Sequence, residues 1–222
     1  MSVFVFSDTH FTRRFDEKRF QKLASLIEKS DMVIINGDFW EGLSVSFDDF
    51  INSEWKKLFQ LLKAKKAVYV FGNHDDPVVS DKRIYEFCDV AVREYKYETP
   101  TRTYYFTHGQ EFLYPKMKDP ESARKRALKL LTKMDIFVAG ITQSVIFTIG
   151  GSKILPEKFN YMTLEQRKRI APIEYLLVCG HSHRPMYQPK LNFIDIGFFN
   201  YGWANYMLID DMGEFKFVSE KY

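Results

Sequence analysis

Cysteine is almost missing from this chain. Its 222 residues include only Cys88 and Cys179. The two stand far apart, in no metal-ligand or redox spacing, which excludes a disulfide framework and points to a reducing compartment. Long apolar runs are missing as well. No stretch reaches the ~18 residues that a membrane span needs. The nearest approach, residues 136–152, carries no charge but is broken by Thr, Gln, Ser and Gly. The N-terminal MSVFVFSD lacks the charged and long apolar regions of an export signal and reads as a first strand. A strong charge of one sign is also lacking. There are 32 Lys and Arg against 29 Asp and Glu, a net +3, which calls for neither nucleic acid nor an anionic membrane. Repeats and low-complexity tracts are absent. The expected location is cytoplasmic, with the inner face of a membrane as the one surface it could touch.

What the chain has is a foldable core. Apolar residues make up 45%, with 21 Phe and 13 Tyr, enough for one domain over residues 1–222. Short apolar runs at Val3–Phe6, Met32–Ile35 and Ala67–Phe71 predict strands. Between them, Asp16–Lys29 and Asp48–Lys63 carry apolar residues at helical spacing. This β-α-β-α-β order favours parallel strands. A short helix is expected over Lys82–Cys88, then a strand pair, Val90–Tyr97 and Thr103–Thr107, joined through Thr99-Pro100. Residues 111–174 break the pattern and read as a mainly helical insertion. They carry 12 Lys/Arg against 7 Asp/Glu, whereas the rest of the chain carries 20 against 22, so the basic excess lies in the insertion. Strand patterns resume at Tyr175–Val178, Phe193–Ile196 and Tyr206–Ile209. The turn Asp211-Met212-Gly213 leads to a last strand, Phe215–Ser219.

The residues that follow the strands carry the chemistry. After the first come Asp8-Thr9-His10, after the second Asn36-Gly37-Asp38, and after the third Gly72-Asn73-His74-Asp75. His108-Gly109 follows the strand at Tyr104, and Gly180-His181-Ser182-His183 the one at Leu177. All five histidines of the chain lie in these blocks. Carboxyl ends of strands in open α/β sheets gather at one crevice, where ligands bind. Imidazole and carboxylate donors together suit Zn, Mn or Fe(II) rather than Ca. In extended backbone, residues i and i+2 share a side, so Asp8/His10 and His181/His183 could each aim two groups at one site. Seven candidate ligands exceed what one ion with an open position takes. They suit two ions sharing a carboxylate, about 3.5–4 Å apart.

In this order, DTH, GDFWEG, GNHD, HG and GHSH resemble the calcineurin-like metallophosphoesterases. The resemblance implies an α/β fold of four layers, two mixed sheets flanked by helices. It implies two divalent ions, Mn in the first place and Fe or Zn as alternatives. One would take Asp8, His10, Asp38 and His183, the other Asp38, Asn73, His108 and His181, with Asp38 bridging. His74 would face the phosphate or protonate the leaving oxygen, and Asp75 would accept a hydrogen bond from His74 and hold it. The implied reaction is hydrolysis of a phosphodiester or diphosphate by a hydroxide bridging the ions.

GDFWEG, GHSHRP and a basic helical insertion are also similar to the UDP-2,3-diacylglucosamine hydrolase branch, which cleaves a lipid-linked nucleotide diphosphate. That similarity implies an acyl chamber built from the insertion, with the basic cluster at Lys116, Lys118, Arg124, Lys125, Arg126, Lys129 and Lys133 beside the uncharged run 136–152. His74 stands where that branch typically carries Arg and matches the broader pattern of phosphodiesterases and phosphomonoesterases. Arg13, Arg14, Trp40, Arg124 and Arg184 are candidate substrate contacts. A nuclease, its insertion tracking a nucleic-acid backbone, is one alternative. A non-catalytic scaffold of the same fold, as in a retromer subunit, is another, and missing ligands would mark it. Here the ligand set is complete.

Overall fold

A computed structural model describes residues 2–113 and 162–222. The chain runs β1 (Val3–Phe6), α1 (Glu17–Lys29), β2 (Met32–Asn36), α2 (Phe47–Ile51), a 3-10 turn (Glu54–Leu58), α3 (Phe59–Ala64) and β3 (Val68–Val70). Short 3-10 turns at Pro77–Val79 and Lys82–Glu86 precede β4 (Val90–Val92), β5 (Glu94–Glu98), β6 (Thr103–Thr107) and α4 (Gln110–Leu113). After residue 161 come α5 (Leu164–Ile170), β7 (Leu176–Cys179), β8 (Met186–Gln188), β9 (Phe193–Asp195), β10 (Phe199–Asn200), β11 (Trp203–Ile209) and β12 (Phe215–Lys221).

Two mixed sheets result. The first has the order β10-β11-β1-β2-β3-β4, with β12 also paired to β11, and β1 to β4 run parallel. The second has the order β5-β6-β7-β9-β8, in which β6, β7 and β9 are parallel. Both faces of β1 are buried, so its sequence is continuously apolar rather than alternating. Val3 and Val5 point inward with Ile34, Val68 and Val70, against Tyr104, Phe106, Leu176 and Val178 of the second sheet. Phe4 and Phe6 point the other way and pack with Leu23, Ile27, Phe50, Trp55 and Leu62 of the helical layer. On the far side of the second sheet, Leu177, Cys179 and Phe193 bury Met162, with Ile170 of α5 against them. The expected four layers are all present, helices outside two sheets. Each fully buried Phe or Leu adds about 1.5–3 kcal/mol.

Helix α1 starts where Asp16 accepts from the Arg19 amide, and ends where Ser30 turns its N–H and hydroxyl onto the Ile27 carbonyl. The single helix expected over Asp48–Lys63 is three pieces. The Asn52 side chain bonds the Asp48 carbonyl, and the Ser53 hydroxyl bonds the Phe50 carbonyl and receives the Trp55 amide. These local bonds compete with the helical ladder and break it. The strand expected over Val90–Tyr97 also divides, because β4 pairs with β3 in one sheet and β5 with β6 in the other. Strands β8 and β10, at three and two residues, are too short to leave a periodic signal. Of the stretch 111–174 expected as an insertion, α5 is helical with a capping box from Thr163 and Gln166. Arg124, the basic cluster and the run 136–152 lie outside the described residues. Among those described, no helix is long and apolar enough to cross a membrane.

Candidate metal centre

Five of the parallel strands, β1, β2 and β3 in one sheet and β6 and β7 in the other, lead into loops that meet at one edge. Adjacent loops there are tied by main-chain bonds, from Asp8 N to Gly37 O at 3.0 Å, His10 N to Asp38 O at 2.9 Å and Gly180 N to His108 O at 3.0 Å. The Asn36 amide stitches the sheets together by donating to Thr107 O and Val178 O. Asp8, His10, Asp38, His181 and His183 all take left-handed backbone, with φ between 46° and 68°. They account for five of the eight non-glycine residues in that region among those described. Such strain costs about 1–3 kcal/mol at each position and gathers where function demands it. The extended i, i+2 geometry expected for Asp8/His10 and His181/His183 is therefore replaced by turns, which still bring each pair to the same site.

The donor atoms form three overlapping groups. Asp8, His10 and His183 make one, Asp38, His108 and His181 another, and His10, Glu41 and His74 a third that shares His10 with the first. In the first, His183 Nε2 lies 3.2 Å from Asp8 Oδ1 and 3.0 Å from His10 Nε2. In the second, His108 Nε2 lies 3.1 Å from Asp38 Oδ2. These two meet at Asp38, whose Oδ2 is also 3.7 Å from His10 Nε2. Ligands about 2.1 Å from a common ion are about 3 Å apart in an octahedron and ~3.4 Å apart in a tetrahedron. Donors at these separations fit divalent cations. The Asn73 carbonyl oxygen supports the fit, being buried with no hydrogen bond from the described residues. So does His108 Nε2, equally buried and aimed at Asp38 Oδ2, its ring turned by the bond from Nδ1 to Asn36 O at 2.9 Å.

Backbone amides hold the carboxylates. His74 N donates to Asp38 Oδ1 at 2.9 Å and His181 N to Asp8 Oδ2 at 3.1 Å. Glycine lets these loops close. A Cβ at Gly180 would collide with Asp8 Oδ2, and one at Gly72 with Asp38 Oδ1. Burial opposes charge on Asp8 and Asp38. The imidazoles outweigh it, His108 foremost, and hold both carboxylates well below their usual range. His108 is in turn raised to about 10, because Asp38 and Asp8 outweigh its burial. His181 falls to about 3, through burial and then the neighbouring His108 charge. It is neutral at physiological pH, the form in which imidazole binds a metal.

The expected bond from His74 to Asp75 is not formed. Asp75 is fully buried and turned under the site, accepting from the amides of Gly72, Asp38 and Phe39 at 2.7, 3.2 and 2.6 Å. Its carboxyl is raised to about 6, by burial first and then by the Asp38 charge. The partner of His74 is Glu41, with Oε1 2.6 Å from His74 Nδ1. Its other oxygen lies 3.1 Å from His10 Nδ1. Sequence pattern alone does not single out Glu41, although it closes the GDFWE block. Asp38 and Glu41 raise the His74 pKa against its burial.

The flanking candidates separate. Trp40 is 1% exposed and stacks on Phe50 in the helical layer, so it cannot touch a substrate. Arg13 is paired with Asp49 on the surface, and Arg14 is exposed nearby. Arg184 is half-buried directly after His183, its amide donating to Ser182 Oγ at 3.2 Å.

Comparison with known proteins bears on the fold and the family. YfcE, a phosphoesterase from E. coli, superposes with a TM-score of 0.50 at 16% identity, covering 95% of this chain and 89% of its own. A novel archaeal phosphodiesterase gives 0.48 at 16% identity, over 99% of this chain and 100% of its own. Vacuolar Protein Sorting 29 from Cryptosporidium parvum gives 0.48 at 13% identity, over 100% and 97%. No curated protein sequence matches the chain. The family model for calcineurin-like phosphoesterases matches residues 1–191, and the chain belongs to that family.

Proposed function

We propose that this protein is a two-metal phosphoesterase that hydrolyses a phosphodiester or diphosphate bond. The observation that carries the reading is that two of the three donor groups, Asp8/His10/His183 and Asp38/His108/His181, adjoin at Asp38, the third being the Glu41 bridge between His10 and His74. Asp8, His10, Asp38 and His183 would hold one divalent ion, and Asp38, Asn73, His108 and His181 the other. Mn suits the mixed imidazole and oxygen set, with Fe and Zn as alternatives. Bound ions would activate a water molecule and neutralise charge on the phosphate.

The side chains supply the rest. Glu41 engages Nδ1 of His74, which leaves Nε2 to face the site, 3.9 Å from Asp38 Oδ2. Asp38 and Glu41 raise the His74 pKa against its burial, which favours a proton on this ring that can pass to a leaving oxygen. Asp75 acts one step back, by holding the amides of the loops that carry Asp38 and Asn73. Arg184, next to His183, is the flanking cation best placed to meet a phosphate oxygen. Cleavage of a lipid-linked UDP diphosphate, as in the UDP-2,3-diacylglucosamine hydrolases, is the narrower reading, and a nucleic acid the alternative substrate. The basic insertion could serve either.

The test is a panel with Mn²⁺: bis-p-nitrophenyl phosphate, p-nitrophenyl phosphate, UDP-linked acyl sugars and single-stranded DNA. Hydrolysis of the diester or of the UDP-lipid is expected. No hydrolysis of any of the four, with metal restored, would leave the family's non-catalytic scaffold as the better reading.

A further inference from the structure

Beneath the two histidines of the last block lies a buried polar chain with no direct part in hydrolysis. Asp195 ends β9 and is fully buried. Its Oδ2 accepts from the hydroxyl of Ser182, the residue between His181 and His183. Its Oδ1 accepts from Gly197 N at 2.9 Å. The Gly197 carbonyl in turn lies 2.9 Å from Ser7 Oγ, and that hydroxyl lies 2.6 Å from Asp8 Oδ2. Gly197 has φ +80°, and a Cβ there would come within 2.7 Å of Pro185, which closes the histidine turn. One buried carboxylate is thus joined through Ser182 to the turn bearing His181 and His183, and through Gly197 to Ser7, whose single hydroxyl proton is shared between the Gly197 carbonyl and Asp8 Oδ2.

Left-handed backbone at both His181 and His183 makes this tether necessary. A turn with two strained residues relaxes unless its surroundings over-determine it. The Ser182 hydroxyl is the one side-chain donor between the two imidazoles, and Asp195 receives it. The next residue, Ile196, is held by its amide on Cys179 O at 2.8 Å, so the carboxylate sits on a rigid strand end.

We propose that Asp195 is a positioning residue of the metal centre, setting His181 and His183 through Ser182, and Asp8 through Gly197 and Ser7, so that one carboxylate outside the ligand set governs ligands of both ions. This rests on the two-ion reading above.

The experiment is a titration of metal-free protein with Mn²⁺ by calorimetry, and with Co²⁺ by its visible spectrum, for the wild type and for Asp195→Ala, Asp195→Asn and Ser182→Ala. Loss of an outer-shell partner typically costs 10–100-fold in metal affinity. Asp195→Ala should weaken both ions by that order and alter the Co²⁺ spectrum. Asp195→Asn should recover affinity to within a few-fold, because its amide can still accept from Gly197 and donate to the Ser182 oxygen. Ser182→Ala should reproduce the part of the loss that acts through His181 and His183, without the Asp8 component, and it decides the matter should Asp195→Ala not fold. Wild-type affinity and spectrum in Ser182→Ala would overturn the proposal, as would equal loss in Asp195→Asn and Asp195→Ala. A wild type that binds two ions but hydrolyses nothing would refute the phosphoesterase reading and leave this inference standing.

Discussion

Glu41 Oε1 lies 2.6 Å from Nδ1 of His74. The same carboxylate reaches Nδ1 of His10 through its second oxygen, so one side chain orients both a proposed metal ligand and the proposed acid. Glu41→Gln leaves a single acceptor for two rings. Turnover should fall about 10–100-fold with both ions retained. Removing the negative charge lowers the His74 pKa, so the alkaline limb of the kcat profile should move to lower pH. Steady-state kinetics across pH, with metal content measured alongside, checks both points.

His74 and Asp38 should separate cleanly. His74→Ala removes the proposed proton donor and no ligand, and should lower turnover by about 10²–10⁴-fold while keeping both ions. Asp38→Asn removes the shared carboxylate and should lose metal. Metal analysis of the purified variants is the check. Equal loss in both would contradict the assignment of His74 to proton transfer.

Gly180 tests the close approach of the loops. A methyl group there would press on Asp8 Oδ2 and Ser7 Oγ. Gly180→Ala should destabilise the metal-free protein by about 1–3 kcal/mol and weaken metal binding. Denaturant unfolding and metal titration measure the two effects.

Protons should leave as metal arrives. Without an ion, the neighbouring carboxylates raise His108 to about 10, so it is protonated at neutral pH. Its Nε2 can bind a cation only after losing that proton, whereas His181, at about 3, is already neutral. Ion uptake should release protons, and affinity should climb from about pH 6 to pH 8. Calorimetry in buffers of different ionisation enthalpy counts the protons released.

Much of the site was legible because each ligand block is short and follows its strand directly. The apolar runs at Val3–Phe6, Met32–Ile35 and Ala67–Phe71 located the strands, and the parallel order located their shared edge. What escaped was set by tertiary contact. Asp75 adjoins His74 in sequence, yet its carboxylate turns under to gather three amides, and Glu41 arrives from another loop. Trp40 sits between two site residues, Asp38 and Glu41, but faces the aromatic layer. The break at Asn52-Ser53 came from side chains bonding nearby carbonyls, which apolar spacing does not register. The division of Val90–Tyr97 between sheets has no local signal, since both halves have strand character. Asp195 gave none either, because its importance lies in a tertiary bond to Ser182, on the loop after the neighbouring strand.

The central claim, hydrolysis by a centre of two ions meeting at Asp38, is tested most directly by titrating metal-free protein with Mn²⁺ while following cleavage of bis-p-nitrophenyl phosphate. The account predicts two ions bound per chain, with cleavage appearing as the second site fills. Saturation at a single ion, or full cleavage in the metal-free protein, would contradict it.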